Sequence, residues 1–311
     1  MQTYRSINEI EKVEDSVLTI GTFDGVHAGH RDIIAKLKDY AAKKSLRDVV
    51  ITFEPHPRTV VSDYDIKLLS TLEEKIKLLE SLGVSNLLVI NFTKEFSQQS
   101  SAEFIKNIIC DKIGSKHIII GHDHKFGKDR VGDEDELVKL GSSNGFSVEI
   151  VEPVFKKEKI VSSTQIRNAL LNGEVELAAE LLGRNYCFHG DVVKGVSRGT
   201  ILGFPTANIE IRDSKKLIPQ NGVYIVECKI KDQKVFGVMN IGVRPTFADT
   251  NRVIIEVHLI EFNEDIYGEE IEVSILKRLR DEKKFESKEE LIYQIKRDKR
   301  KAVQYIGAII N

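Results

Sequence analysis

Residues 21–30 read Gly-Thr-Phe-Asp-Gly-Val-His-Ala-Gly-His, three glycines and two histidines in ten positions. The run follows an apolar stretch, Val17-Leu18-Thr19-Ile20, and precedes an amphipathic segment from Arg31 to Ala42, so it reads as a turn between a strand and a helix. A helix following Gly29 would aim its free N–H groups back at that turn, where they attract phosphate. Gly21, Gly25 and Gly29 would let a triphosphate come close to the backbone around Phe23 and Asp24. His27 and His30 can donate to phosphate oxygens. Together these groups suit a reaction in which charge builds on an α-phosphate as pyrophosphate leaves. A second stretch, Val161-Ser-Ser-Thr-Gln-Ile-Arg167, sets Ser162, Ser163 and Thr164 at a helix start, with Arg167 one turn in. Hydroxyls and free N–H groups there can hold departing phosphates, and Arg167 adds a charge-assisted contact. The same pattern is also that of a plain N-cap.

The C-terminal half has no Walker-type Gly-x-x-x-x-Gly-Lys-[Ser/Thr] loop. It has Lys194-Gly-Val-Ser-Arg-Gly-Thr-Ile-Leu-Gly-Phe-Pro-Thr-Ala-Asn208, in which Gly195, Gly199 and Gly203 would let the backbone wrap phosphates. Thr206 and Asn208 alternate after Pro205 and offer hard oxygen ligands. Magnesium takes few protein ligands and borrows phosphate oxygens, so two neutral oxygens can suffice. A rigid β-turn built on Pro205 explains the same residues. In Ile254-Ile-Glu-Val-His258, alternation puts Glu256 on one face with Ile254 and His258, opposite Ile255, Val257 and Leu259. Such a carboxylate is a solvated outward residue unless it reaches a hydroxyl from which it takes a proton.

Gly121-His-Asp-His124, with His117 nearby, raises the question of a metal, but strand alternation would turn Asp123 away from both neighbouring histidines. A cleft-lining turn is the better reading. His56 and Arg58, in Glu54-Pro-His-Pro-Arg58, stand in a similar place after the second strand, where the prolines would fix a loop.

The elements that must position these residues fall into two textures. In the first half, Val17–Ile20, Val49–Phe53, Leu87–Ile90, Ile118–Ile120 and Val148–Val151 alternate with helical patterns. Ser70-Thr-Leu-Glu73 and Ser100-Ser-Ala-Glu103 fit the capping box, and Gly83 and Gly114 sit where helices should stop. This alternation predicts a parallel sheet covered on both faces, with ligands at the carboxyl ends of its strands. Two helices, Thr164–Leu171 and Glu174–Leu182, end at Gly183. From Tyr186 to about Leu276 short alternating runs at 222–230, 235–239, 253–259 and 270–275 predict an antiparallel barrel or sandwich, closed by a helix from Lys288 to about Ile306. The boundary falls near Gly183–Tyr186, giving domains 1–184 and 185–311.

The totals agree with two soluble domains. A chain of 311 residues exceeds what one core usually serves, and 41% hydrophobic with 30% charged residues is ordinary for a globular protein. The net charge of −2 gives no pull toward nucleic acid or anionic membrane. Residues 277–301 hold 11 Lys+Arg, but six Asp+Glu among them make a salt-bridged solvated helix the better reading than an RNA-binding stripe. Cys110, Cys187 and Cys228 lie far apart without metal or disulfide spacing, as expected in a reducing cytoplasm. No apolar run approaches the ~18 residues that span a bilayer. The sequence sets no oligomeric state.

The turn at 21–30 resembles the His-x-Gly-His nucleotidyltransferase motif in the form carried by prokaryotic bifunctional riboflavin kinase/FMN adenylyltransferases (FAD synthetases). Thr52–Arg58, Gly121–Asp133, Val161–Arg167, Leu202–Ile209 and Glu256–Gly268 match that family in order, so the resemblance covers nearly the whole chain. It implies an α/β plus β protein: a Rossmann-like parallel-sheet nucleotidyltransferase domain, then an antiparallel β-barrel riboflavin kinase domain with a closing C-terminal helix. ATP, riboflavin, FMN and FAD are the implied substrates and products, with Mg2+ as cofactor. His27, His30 and Glu256 become the catalytic residues, and Asp123 lines the substrate cleft. Thr206 and Asn208 hold the metal, and the region of Arg280 and Phe285 resembles the flap and helix beside the flavin. The chain departs from the pattern at Asn185, in the loop Ser197–Thr200, at Arg244, and at His122 and His124, which bears on affinity and flap behaviour rather than chemistry. A tRNA-charging enzyme would need a Lys-Met-Ser-Lys-Ser-like loop and an anticodon-binding region, and the chain has neither. A flavin-binding module with a retired transferase would have lost His27, His30 or the serine segment, and all are present. A single-activity riboflavin kinase stays open on sequence alone.

Overall fold

A computed structural model describes residues 1–12, 15–62, 65–122, 125–128, 132–156, 158–195, 203–244 and 252–310. Packing divides the chain into two compact units, Met1–Ser163 and Thr164–Asn311.

The first unit is built on six parallel strands: β1 (Gln2–Tyr4), β2 (Ser16–Ile20), β3 (Arg47–Glu54), β4 (Asn86–Asn91), β5 (Ser115–Gly121) and β6 (Ser147–Val151), in the order β1-β4-β3-β2-β5-β6. The central strands are runs of Val, Ile and Leu because both faces are covered. Leu18, Ile20, Ile51, Ile90 and Ile120 share one core with Ile105, Ile109 and Ile113, while Val17, Val50, Val89 and Ile119 share the other with Ile34, Leu37 and Leu79. The helices are α1 (Ala28–Lys44), α2 (Pro57–Val61), α3 (Leu72–Ser81), α4 (Lys94–Ser97), α5 (Ser101–Phe104) and α6 (Glu134–Asn144), with a π-helix over Ile105–Ile113 and a short hairpin of β7 (Phe155–Lys156) and β8 (Lys159–Ile160). Ser100 and Glu103 form the expected capping box. On α3 the box lies one residue later than expected, between Thr71 and Glu74, because Ser70 is engaged with the turn after β2. Gly114 caps the π-helix in the left-handed conformation.

The strand order fixes where a ligand can sit. From β2 the chain moves outward through β3 to β4, then returns to the other side of β2 as β5. The crevice at the carboxyl ends of β2 and β5 is therefore the topological switch point, and residues 21–27 leave β2 into it.

The second unit begins with α7, which runs over Ser163–Leu171 across the division, and α8 (Val175–Leu182), which ends at Gly183 with φ 73°. These helices precede a closed barrel of β9 (Tyr186–Val193), β10 (Ala207–Glu210), β11 (Gly222–Ile230), β12 (Gln233–Arg244), β13 (Arg252–Leu259) and β14 (Glu270–Arg280), ordered β10-β13-β12-β11-β14-β9. All neighbours within it are antiparallel. The pattern left barrel and sandwich open; β9, paired to both β10 and β14, closes the barrel. Inward residues such as Tyr186, Phe188, Tyr224, Met239, Val257 and Val273 fill it. The closing helix, α9, spans Lys288–Ile310.

Candidate functional sites at the two barrel and sheet mouths

The turn after β2 is held in an uncommon backbone shape. Phe23, Gly25 and Val26 have φ of 48°, 80° and 39°, a region costly for side-chain-bearing residues. Burial of Phe23 and Val26, each 1% exposed, holds them there. A Cβ at Gly21 would meet the Phe23 ring at 3.2 Å, and one at Gly29 the His27 ring at 3.3 Å, so both glycines make room for side chains of the motif.

The helix starts earlier than the sequence pattern suggests. His27 is itself the N-cap of α1, and its Nδ1 accepts from the His30 backbone N–H at 3.3 Å. With Nδ1 accepting, a neutral His27 carries its proton on Nε2. The His27 and His30 rings stack at 3.6 Å with 16° between planes, and Phe23 meets His30 edge-on at 5.0 Å. The two imidazoles thus form one paired surface at the helix mouth.

Asp24 has a different place from the histidines. Its buried carboxylate accepts from Leu69 N at 3.0 Å, Ser70 N at 3.0 Å and Ser70 Oγ at 3.4 Å. The Gly25 N–H donates to Ser70 Oγ at 3.0 Å. Asp24 therefore ties the turn to the approach of α3. Ser163 donates from Oγ to the Asp24 carbonyl at 3.0 Å, which brings the serine motif to the same turn. Ser162 precedes α7, and Thr164 and Arg167 lie on its first turns. Asp123 and His124 lie outside the described residues. His117 spends Nδ1 on Ser147 Oγ at 2.7 Å and stacks on Tyr40 at 3.9 Å. Burial lowers its pKa, against Glu149, which raises it. His56 caps α2 by accepting from Arg58 N at 3.2 Å. Among the described residues no group of three or more His, Cys, Asp or Glu is placed to hold a metal ion.

In the barrel, alternation on β13 is as expected: Ile255, Val257 and Leu259 are buried, and Ile254, Glu256 and His258 lie half-buried on the other face. Glu256 is directly opposite Asn208 on β10 and opposite Asn240 on β12. Cross-strand side chains on one face are about 4.5–5.5 Å apart at Cβ, so the carboxylate is flanked by two carboxamides. Asn240 was not singled out in the sequence; the signal was its register, which requires the pairing. A Cβ at Gly195 would overlap the Asn208 amide, so the Lys194–Gly195 segment passes directly over it. Gly203 has φ 81° with open space around it, so backbone conformation alone calls for glycine. Thr206 immediately precedes β10. His258 Nδ1 donates to the Pro205 carbonyl at 2.9 Å, and the Phe204 ring meets His258 edge-on at 5.6 Å. Strand β13 thus fixes the Pro-Thr-Ala-Asn turn. Burial lowers the His258 pKa, with the Pro205 bond opposing and Lys299 adding to the fall. Residues 196–202 and 245–251, including Gly199, are outside the described set.

Arg280 and Phe285 are engaged with each other and with α9. Arg280 donates through Nε and Nη2 to Asp298 Oδ2 at 3.0 and 2.8 Å, and through Nη1 to the Asp281 carbonyl at 2.9 Å. Asp298 is 2% exposed and also accepts from Gln294 at 2.8 Å. The Phe285 ring lies 5.8 Å from the Arg280 guanidinium and 4.9 Å from Lys283 Nζ. These contacts brace the segment between β14 and α9.

A switch-point turn with paired histidines and a barrel with a carboxylate between two carboxamides define a two-module transferase of phosphorus-containing groups. Comparison with known proteins gives the family. Residues 9–165 match the FAD synthetase family and residues 182–306 the riboflavin kinase family. A bifunctional riboflavin kinase/FMN adenylyltransferase of Buchnera aphidicola subsp. Schizaphis graminum is 38% identical, with 99% of this chain and 100% of that protein aligned. The Bacillus subtilis (strain 168) protein of the same name is 39% identical over 96% of this chain and 94% of its own length. The chain belongs to the bifunctional riboflavin kinase/FMN adenylyltransferase family. The crystal structure of a Streptococcus pneumoniae protein called a macrolide-efflux protein superposes with a TM-score of 0.88 at 34% identity, covering 96% of this chain and 97% of that one. Among the described residues here, no helix is long and apolar enough to cross a membrane.

Proposed function

We propose that the chain works in two steps, with His27 and His30 serving the second and Glu256 the first. As a member of its family it phosphorylates riboflavin with ATP to FMN in the barrel, and adenylylates FMN with a second ATP to FAD and pyrophosphate in the sheet module.

In the kinase step Glu256 accepts the proton of the ribityl hydroxyl as its oxygen attacks the γ-phosphorus of ATP, with ADP leaving. Thr206 and Asn208 would hold Mg2+ against the phosphates. Two neutral oxygens, with Asn208 directly across from Glu256, and the glycine that clears space over Asn208 suit an ion that shares phosphate oxygens. Such an ion supplies charge neutralisation at the transferring group. In the adenylyl step the FMN phosphate is already an anionic nucleophile, so it attacks the α-phosphorus in line without a covalent enzyme intermediate. His27, through Nε2, and His30 stabilise the charge that develops as pyrophosphate departs, aided by Ser162, Ser163, Thr164 and Arg167. Gly21, Gly25 and Gly29 keep the backbone open to the phosphates, and Asp123 lines the cleft for the flavin substrate. Division of labour runs 1–184 and 185–311, so that the helix carrying Arg167 serves the first site chemically. The partners are these small molecules, with neither nucleic acid nor membrane. A cytoplasmic location accords with three cysteines that form no disulfide.

The carrying observation is the stacked His27–His30 pair at the mouth of α1, on the turn to which Ser163 is bonded at Asp24. A time course with riboflavin, ATP and Mg2+, resolved by chromatography, tests the reading. FMN should rise and then give way to FAD. FMN that accumulates without FAD, also when FMN or reduced flavin is supplied, would remove the second step.

A further inference from the structure

Glu73-Glu74-Lys75-Ile76-Lys77 looks like the solvated face of a helix. In the fold Lys75 is 4% exposed. Its Nζ donates to Thr52 Oγ1 at 3.2 Å, and Thr52 Oγ1 donates to the Thr22 carbonyl at 3.1 Å. Thr22 belongs to the turn after β2. The same helix approach, at Leu69 and Ser70, holds the Asp24 carboxylate. Glu54 stands two residues beyond Thr52 on β3, and so on the same face of the sheet. An ammonium in so dry a place is costly unless nearby groups compensate it. Burial lowers the Lys75 pKa, while Asp24 and Glu54 pull it back up.

We propose that Lys75 is a positioning residue of the adenylyl-transfer site: from beneath the turn it fixes the Thr22 carbonyl through Thr52, and its charge offsets Asp24 and Glu54 so that a polyphosphate can be seated above them. The proposal rests on the reading that residues 21–30 seat ATP. Two carboxylates under a triphosphate would otherwise repel it. The effect falls chiefly on ATP, because its triphosphate brings more negative charge to the turn than the single phosphate of FMN.

The test uses the full chain with supplied FMN, varying ATP and FMN separately. Lys75→Met should raise the KM for ATP on the order of tenfold, as expected for one charge acting through partly dry protein, with the KM for FMN little changed. Lys75→Arg should keep most of the wild-type value. Glu54→Gln should lower the KM for ATP when made alone and recover much of the loss when combined with Lys75→Met. Parallel changes in both KM values and kcat, with no recovery by Glu54→Gln, would mean a scaffold role only and overturn the proposal. If Lys75→Met does not fold, Glu54→Gln alone decides: an unchanged KM for ATP rejects charge compensation. His30→Ala separates the two levels. Loss of adenylylation in His30→Ala with an unaltered KM for ATP in Lys75→Met sinks only the Lys75 proposal. Full activity in His30→Ala sinks the reading of the turn itself.

Discussion

The two sites handle the same substrate, ATP, with different materials. On the assignment proposed above, the surface at the sheet module is mostly backbone: left-handed residues, glycines that admit neighbouring rings, and a helix whose cap is one of the histidines. At the barrel the proposed surface is a row of side chains, Asn208, Glu256 and Asn240, lined up by strand register. The difference follows from the chemistry. Adenylyl transfer to FMN begins with an anion as nucleophile and needs preorganised charge stabilisation. Phosphorylation of riboflavin begins with a neutral hydroxyl, which requires a base.

The sharpest way to break this comparison is to remove one group from each side. Glu256→Gln should reduce FMN formation by about 10²–10⁴-fold, the usual worth of a positioned base, and leave conversion of supplied FMN to FAD intact. His30→Ala should do the reverse, lowering adenylylation by about 10²–10³-fold, as for the loss of one transition-state donor. Either substitution abolishing both activities in a folded chain would refute the two-site assignment.

The next effect concerns stability. Asp298 is buried under the Arg280 guanidinium. Asp298→Ala removes the carboxylate from a guanidinium that keeps its bond to the Asp281 carbonyl and is itself partly exposed, so it should destabilise the second unit by about 3 kcal/mol, the low end for breaking a buried pair. A fall in the barrel's unfolding midpoint, with adenylylation preserved at lower temperature, is the expected readout. In the first unit Asp24→Asn gives a smaller effect. It replaces a charged acceptor of Leu69 and Ser70 by a neutral one, with an expected cost of about 1.5–3 kcal/mol if the bonds are lost. Denaturant unfolding followed beside both activities would show adenylylation lost first.

How much of this was legible in the sequence depended on distance along the chain. The Val- and Ile-rich strands of the first unit are readable because two-sided burial makes each a continuous apolar run. The cap at Ser100 is a local rule and fell in register. The cap on α3 did not, because Ser70 is claimed by Gly25 and Asp24, 45 and 46 residues away. Strand β9 alternates cleanly, but Gly190 breaks its inward apolar row of Tyr186, Phe188 and Val192, and only pairing on both sides reveals that it closes the barrel. The motif residues could be named, but Lys75, Asn240 and the His258–Pro205 bond could not, since each acquires meaning from a partner brought in by tertiary structure. For Arg280 and Phe285 the sequence located the segment, and the fold adds the partners it could not show, Asp298 for Arg280 and Lys283 for Phe285.

The smallest prediction compares His117 in the first unit with His258 in the second. Both are held below the ordinary histidine pKa, chiefly by burial, with Glu149 opposing in the first and the Pro205 carbonyl in the second. The unfolded chain takes up a proton near pH 6.5, while each folded site resists it. The unfolded state therefore binds more protons in this window, and stability falls as pH drops from about 6.5 through the lowered folded pKa, then levels off below it. His258→Asn should flatten that part of the pH dependence for the barrel and His117→Asn for the sheet module, when unfolding is followed at a series of pH values. His258 also anchors the turn proposed to face the phosphates, so His258→Asn should in addition weaken ATP use in the kinase step and leave adenylylation unchanged. A kinase KM for ATP that stays at the wild-type value would show that the Pro-Thr-Ala-Asn turn keeps its place without the histidine, and that register alone organises the second site.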